Sequence, residues 1–217
     1  MKRVVIIVLI VAVAILGLNF LSKSSEDKVN NDPNNKASAT QSGIEARSFG
    51  TGPVEVVEYA DFQCPGCASF FPVVSQVKEA NKDKITFKFK HFPLQTIHPN
   101  ARAAHRAAQA AANQGKFWEL HDLLYQNQTS WNNSTNAAGI FETFAGQIGL
   151  DMERYQADVA SSDTNSVINA DVAEAGTKNV TGTPTFFIDG KEISVQDLQT
   201  VEAFTKKIDE AFAAKQQ

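Results

Sequence analysis

Val54-Glu55-Val56-Val57-Glu58-Tyr59-Ala60-Asp61-Phe62-Gln63-Cys64-Pro65-Gly66-Cys67 is the stretch from which the rest of the chain is read. Its first half, Val54 to Tyr59, is rich in β-branched residues and reads as a central strand. Its end opens a helix, because Pro65 fits the first helical position, where a missing N–H costs nothing. Cys64 and Cys67 are the only two cysteines in 217 residues. Spaced this way at the first turn of a helix, their sulfurs come close enough to bridge, so the pair can cycle between dithiol and disulfide. The unpaired N–H groups and the positive end of the macrodipole favour a thiolate there. A thiolate makes Cys64 the better nucleophile and leaving group. A purely structural disulfide would close too short a loop to remove much chain entropy. A zinc site would need a second ligand pair, and His91, His98, His105 and His121 lack the His-x3-5-His spacing.

Outward from the motif, composition bounds the rest. A hydrophobic share of 43% permits a real core, and a net charge of −4 with scattered lysines leaves no basic patch for nucleic acid. Val4 to Leu21 is an apolar run of 18 residues with no charge. At 1.5 Å per residue it spans about 27 Å, close to the bilayer hydrocarbon thickness. Lys2 and Arg3 precede it, so the N-terminus is expected in the cytoplasm and the remainder outside. A cleaved signal peptide is the alternative, with Ser22-Lys23-Ser24 as a poor cleavage site. Residues 1–21 are therefore expected to be a transmembrane signal anchor, and export places the cysteines where disulfides persist. Residues 22–43 are polar, lack periodicity and read as a flexible linker. Residues 44–217 form the folded domain.

In that domain, Ile44 to Phe49 is expected to be a short edge strand, and Gly50 to Pro53 a turn. The helix opened by Pro65 carries Phe70, Phe71, Val73, Val74 and Val77, and Pro72 is expected to kink it. Ile85 to Lys90 alternates and reads as a second strand. Helices are expected over Asn100–Asn113, Phe117–Gln126, Ala137–Ile148, Met152–Ala160 and Ser161–Ala175, a helical insertion spanning about 98–175. Thr185 to Ile188 is a strand, Asp189-Gly190 a type I′ hairpin turn, and Glu192 to Val195 the return strand. Asp197 is expected to cap a last helix reaching Ala214. Strand–helix–strand followed by a hairpin predicts an α/β fold, a mixed sheet with flanking helices.

Glu58-Tyr59-Ala60-Asp61-Phe62-Gln63-Cys64-Pro65-Gly66-Cys67, His91-Phe92-Pro93-Leu94 and Gly182-Thr183-Pro184-Thr185-Phe186-Phe187-Ile188-Asp189-Gly190 together resemble the DsbA-like thiol:disulfide oxidoreductases of bacteria, which have a thioredoxin-like fold. The resemblance runs from about residue 44 to residue 217. It implies that Cys64 is the exposed attacking cysteine, Cys67 the buried resolving one, and Pro184 a cis-proline facing the dithiol. Thr183 keeps a backbone N–H and C=O that can pair with an extended substrate chain. Glu58 matches the buried acid that relays a proton to or from the resolving cysteine, and burial should raise its pKa.

The best-known members carry Cys-Pro-His-Cys, so Gly66 removes one thiolate-stabilising side chain and predicts a weaker oxidant. The resemblance implies exported cysteine-containing proteins as substrates, a quinone-linked membrane partner as reoxidant, no cofactor and no metal. A disulfide reductase or isomerase using the same site, and a copper- or zinc-binding thiol module, are the competing functions. His91, His98 and His105 read as surface or capping groups. The Asn-rich stretch Asn127–Asn136 reads as a loop whose glycosylation-like triplets are chance matches.

Overall fold

The computed structural model describes residues 43–217, so the expected anchor at residues 1–21 and nearly all of the expected linker lie outside the described residues. Among the described residues, no helix is long and apolar enough to cross a membrane.

The expected sheet is present. Strands β1 (Ser48–Phe49), β2 (Val54–Ala60), β3 (Ile85–His91), β4 (Thr185–Ile188) and β5 (Lys191–Ile193) form one mixed sheet in the order β1-β3-β2-β4-β5. β2 and β3 are parallel, with Glu58 beside Phe89; β2 and β4 are antiparallel, with Glu58 beside Phe186. Asp189 and Gly190 both have positive φ, 46° and 77°, as a type I′ turn between β4 and β5 requires.

Helix α1 (Pro65–Asn81) connects β2 to β3 and continues through Pro72 as one element. The insertion comprises α2 (Ala101–Ala112), α3 (Phe117–Gln126), α4 (Gln128–Trp131), α5 (Ala137–Gln147), α6 (Met152–Ala160) and α7 (Ser162–Thr177). Helix α8 (Val201–Ala214) closes the chain.

Two cores share one face of the sheet, on which Val54 and Val56 of β2 and Phe87 and Phe89 of β3 lie, and Val57, Tyr59 and Phe187 form a smaller cluster on the other. Phe62 and Phe89 pack with the insertion, around Ala107, Ala108, Leu120, Leu124 and Trp131. Val54, Val56, Phe87 and Phe186 pack with α1 and α8 through Phe70, Val77, Phe204 and Ile208. Phe186 is the ring that joins α1 to α8, edge-on to Phe204 and tilted against Phe70. Truncating so buried a ring to alanine costs about 3–5 kcal/mol.

Four local expectations are corrected. Ile44–Arg47 is a 3-10 turn and only Ser48–Phe49 pairs with β3, because Arg47 is buried and bonded to Asp171 and to the Phe89 carbonyl. Gln128–Trp131 is helical where a loop was expected. The hairpin returns over Lys191–Ile193 rather than Glu192–Val195. Val195–Leu198 forms a separate 3-10 turn, and Thr200 rather than Asp197 caps the last helix, its hydroxyl accepting from the Ala203 N–H at 3.1 Å.

Candidate active site

The end of β2 delivers the chain to Asp61, and the turn to α1 is tied from both sides. The Asp61 carbonyl accepts from the Cys64 N–H at 3.1 Å, and the Cys64 carbonyl accepts the first helical bond, from the Ala68 N–H, at 3.1 Å. Cys64 is the N-cap of α1 and Pro65 its first residue, as the sequence predicts. Both cysteines are free thiols. Cys64 is 8% exposed and Cys67 1%. The order of exposure is the expected one, but Cys64 is no open surface group: a narrow rim of it reaches solvent.

The Thr183–Pro184 bond is cis. The Thr183 carbonyl lies 3.4 Å from the Cys64 sulfur and accepts from the thiol. A Cβ on Gly66 would lie 3.5 Å from both the Cys64 sulfur and Pro184 Cδ, so Pro184 faces the dithiol across Gly66 and a side chain fits there.

The two thiols are driven apart in acidity. The Cys67 thiol, as hydrogen-bond donor, lowers the Cys64 pKa; burial opposes it; Thr183 and the N–H groups of Cys67 and Gly66 lower it further, to about 5. The Thr183 hydroxyl is buried with no hydrogen-bond partner among the described residues, so Thr183 offers its carbonyl as acceptor to the thiol and keeps an unused donor for the thiolate. Cys67 is pushed well up, first by burial and then by Cys64 and Glu58.

Glu58 lies on β2 between Phe89 and Phe186 and is 3% exposed. Burial raises it from 4.5 to about 8, and the Lys78 charge pulls the other way. Lys78, also buried, has its ammonium 3.3 Å from the centroid of the Trp118 ring, with Phe49 and Phe87 further out. Burial lowers its pKa to about 8.

The surface reading of the histidines is overturned. His91 and His105 are wholly buried, with their Nδ1 atoms 2.7 Å apart, and His91 Nε2 lies 3.2 Å from Gln109 Oε1. His98 is half-buried and donates through Nδ1 to Asp61 Oδ2 at 2.7 Å. Burial pushes the Asp61 carboxyl up, but His105, His98 and the Leu94 N–H outweigh it and hold the group below its ordinary value. His105 Nε2, at 3.8 Å, acts on that carboxylate by charge and dipole rather than by a hydrogen bond. The signal available in sequence was spacing: His105 and Gln109 are four apart on a helix whose alanines form the buried face. Among the described residues, no three His, Cys, Asp or Glu side chains are grouped to hold a metal ion.

A central parallel β–α–β unit, a dithiol at a helix N-terminus and a cis-proline against the sulfur define a thioredoxin-fold dithiol protein. The chain belongs to the thioredoxin family, whose model, described as Thioredoxin, matches residues 50–210.

Among curated proteins it is similar to the Na(+)/H(+) antiporter NhaA 3 of Salinispora tropica, 36% identical over 162 residues, covering 75% of this chain and 24% of that one. NhaA 1 of Salinispora arenicola is 36% identical over 161 residues, covering 74% and 24%. The chain spans about a quarter of the length of these relatives. Among solved structures it shares its fold with BdbD from Bacillus subtilis, at a TM-score of 0.66 and 21% identity over 80% of this chain and 96% of that one. A thioredoxin-like oxidoreductase from Silicibacter pomeroyi superposes at a TM-score of 0.62 and 24% identity, covering 76% and 90%. The MdbA protein of Corynebacterium diphtheriae, described as a thiol-disulfide oxidoreductase, superposes at 0.61 and 22% identity, covering 71% and 82%.

Proposed function

We propose that this protein is a membrane-anchored, extracytoplasmic protein-disulfide oxidoreductase that introduces disulfides into exported polypeptides through the Cys64–Cys67 couple. The observation that carries the reading is the opposite shift of the two thiols, Cys64 down to about 5 and Cys67 well up. A sulfur ionised at neutral pH is a good leaving group, which makes a disulfide containing it reactive. The structural neighbours BdbD and MdbA support the same chemistry by fold.

In the oxidised enzyme, a substrate thiolate attacks the Cys64 sulfur, a new S–S bond forms, and Cys67 leaves with the electron pair. Glu58, protonated at neutral pH, supplies the proton that the buried Cys67 sulfur requires. A second substrate thiolate then attacks the substrate sulfur of the mixed disulfide, and Cys64 leaves as a thiolate. The substrate is oxidised by two electrons and the enzyme becomes the dithiol. Thr183 presents its backbone to the extended substrate beside Pro184. Reoxidation falls to a membrane partner, quinone-linked by family analogy. The apolar run at residues 4–21 supports membrane attachment with the catalytic domain outside.

The test is Cys67→Ala and Cys64→Ala, each expressed in cells and run on non-reducing gels. Cys67→Ala removes the group that breaks the mixed disulfide from within, so reductant-sensitive adducts accumulate; Cys64→Ala forms none. Adducts on Cys64→Ala alone would reverse the roles, and adducts on neither, with no thiol exchange by the wild type, would overturn the reading.

A further inference from the structure

Gln128, in the four-residue helix α4, is buried and takes no part in the exchange chemistry above. Its carboxamide nitrogen donates to the Phe62 carbonyl at 2.8 Å and to the Cys64 carbonyl at 3.0 Å. The orientation of the amide is forced, because carbonyls only accept and so the NH2 end must face them.

These two carbonyls are the negative ends of peptide dipoles on the turn where the thiolate forms. Gln63, between them, is held by the same insertion: its Oε1 accepts from the Asn100 N–H at 2.7 Å and its Nε2 donates to the Asn132 carbonyl at 2.6 Å. The insertion thus grips the catalytic turn by its backbone, and Gln128 reaches the Cys64 peptide itself.

We propose that Gln128 is a positioning residue for thiol exchange: it holds the Phe62 and Cys64 carbonyls on the insertion side of the turn and offsets their negative ends, which favours the Cys64 thiolate. Without its donors, two buried carbonyls lose partners at the N-cap of α1, and the turn relaxes toward geometries that bring partial negative charge to the sulfur. The proposal rests on Cys64 as the exchanging thiol, but it concerns that sulfur's acidity, which is measured without any substrate protein.

Gln128→Met keeps the length of the side chain and removes both donors. Gln128→Glu keeps the shape and places acceptors where donors stood. In the reduced full-length protein, Cys64 ionisation is read from the pH dependence of iodoacetamide alkylation, and the couple is equilibrated against glutathione. The expected result is Cys64 acidity weaker on the order of tenfold in Gln128→Met, and weaker still in Gln128→Glu, with the couple about 30 mV more reducing per tenfold. A packing role alone would lower stability in both and move neither readout. Should one variant fail to fold, Gln128→Asn, a methylene shorter, is expected to give a smaller shift of the same sign. Titrations and potentials equal to wild type in folded variants, or a larger shift for Met than for Glu, overturn the proposal. If the titrations shift as expected and polypeptide oxidation is absent, the functional reading fails and the role of Gln128 stands.

Discussion

Replacing Glu58 by Gln should make the reduced protein more stable and a poorer catalyst, and the gain should depend on pH. Glu58 titrates near 8 in the folded chain against an ordinary 4.5, first because burial disfavours its charge. Below 4.5 both states hold the proton and the side chain costs nothing. As pH rises the unfolded chain releases the proton and the folded one keeps it, so stability falls by about 1.4 kcal/mol per unit until pH reaches the folded value. The penalty is about 1 kcal/mol at pH 5, about 3 kcal/mol at pH 7, and levels off near about 5 kcal/mol above pH 9. Glutamine has the shape of the protonated acid and no charge to lose. Urea unfolding of reduced wild type and Glu58→Gln between pH 5 and 9, followed by circular dichroism, reads the difference directly. Turnover with a dithiol peptide should fall on the order of a hundredfold at the same time, since general acid–base groups contribute at least that much. A stability gap that does not change with pH, or a variant less stable than wild type at pH 7, would refute the buried-acid argument.

Lys78→Met removes the cation that holds Glu58 down, so the Glu58 carboxyl should titrate above 8, read by carbon NMR of the side chain. The couple should have a potential near about −180 mV: dithiols of this fold with attacking-cysteine pKa values of about 7 and about 3.5 have potentials of about −270 and about −120 mV, and about 5 falls between them. Equilibration with glutathione checks it, and a value at either extreme counts against the thiolate assignment. His91, His105 and His121 are all held below the ordinary 6.5 by burial, so each contributes stability present above 6.5 and lost as pH falls; His121 alone, at about 4, accounts for about 3 kcal/mol by pH 4. Stability measured from pH 7 to 4 should decline steeply, and His121→Phe should flatten part of that decline.

The parts of the fold legible in sequence are those fixed by local rules. The alternation in Ile85–Lys90 is the burial alternation of β3, proline at the first helical position marks the start of α1, and Asp189-Gly190 supplies the two positive φ angles of its turn. The parts that were not legible depend on partners far along the chain. Arg47 abandons the strand for a carboxylate 124 residues away, at Asp171. His98 meets Asp61 across 37 residues, and Gln128 meets Cys64 across 64. Lys78, on the helix that opens at the dithiol, is buried over a tryptophan on another helix. Polar side chains announce burial only through the groups that satisfy them, and those groups are set by topology rather than by neighbours in sequence.

The same contrast decides what Gly66 means. Read in isolation, a glycine between the cysteines subtracts a side chain that would stabilise the thiolate. In place, the Cys64 sulfur draws on the Cys67 thiol, Thr183 and the N–H groups of Gly66 and Cys67, and its pKa falls to about 5 without any side chain at position 66. Each of these donors belongs either to the first turn of α1 or to the strand-leading segment at Thr183, so the acidity of Cys64 is a property of where the helix begins and what faces it. The same placement buries Cys67 three residues further on and raises it. One helix start therefore sets both ends of the couple, leaving position 66 free to tune a difference that the fold already supplies.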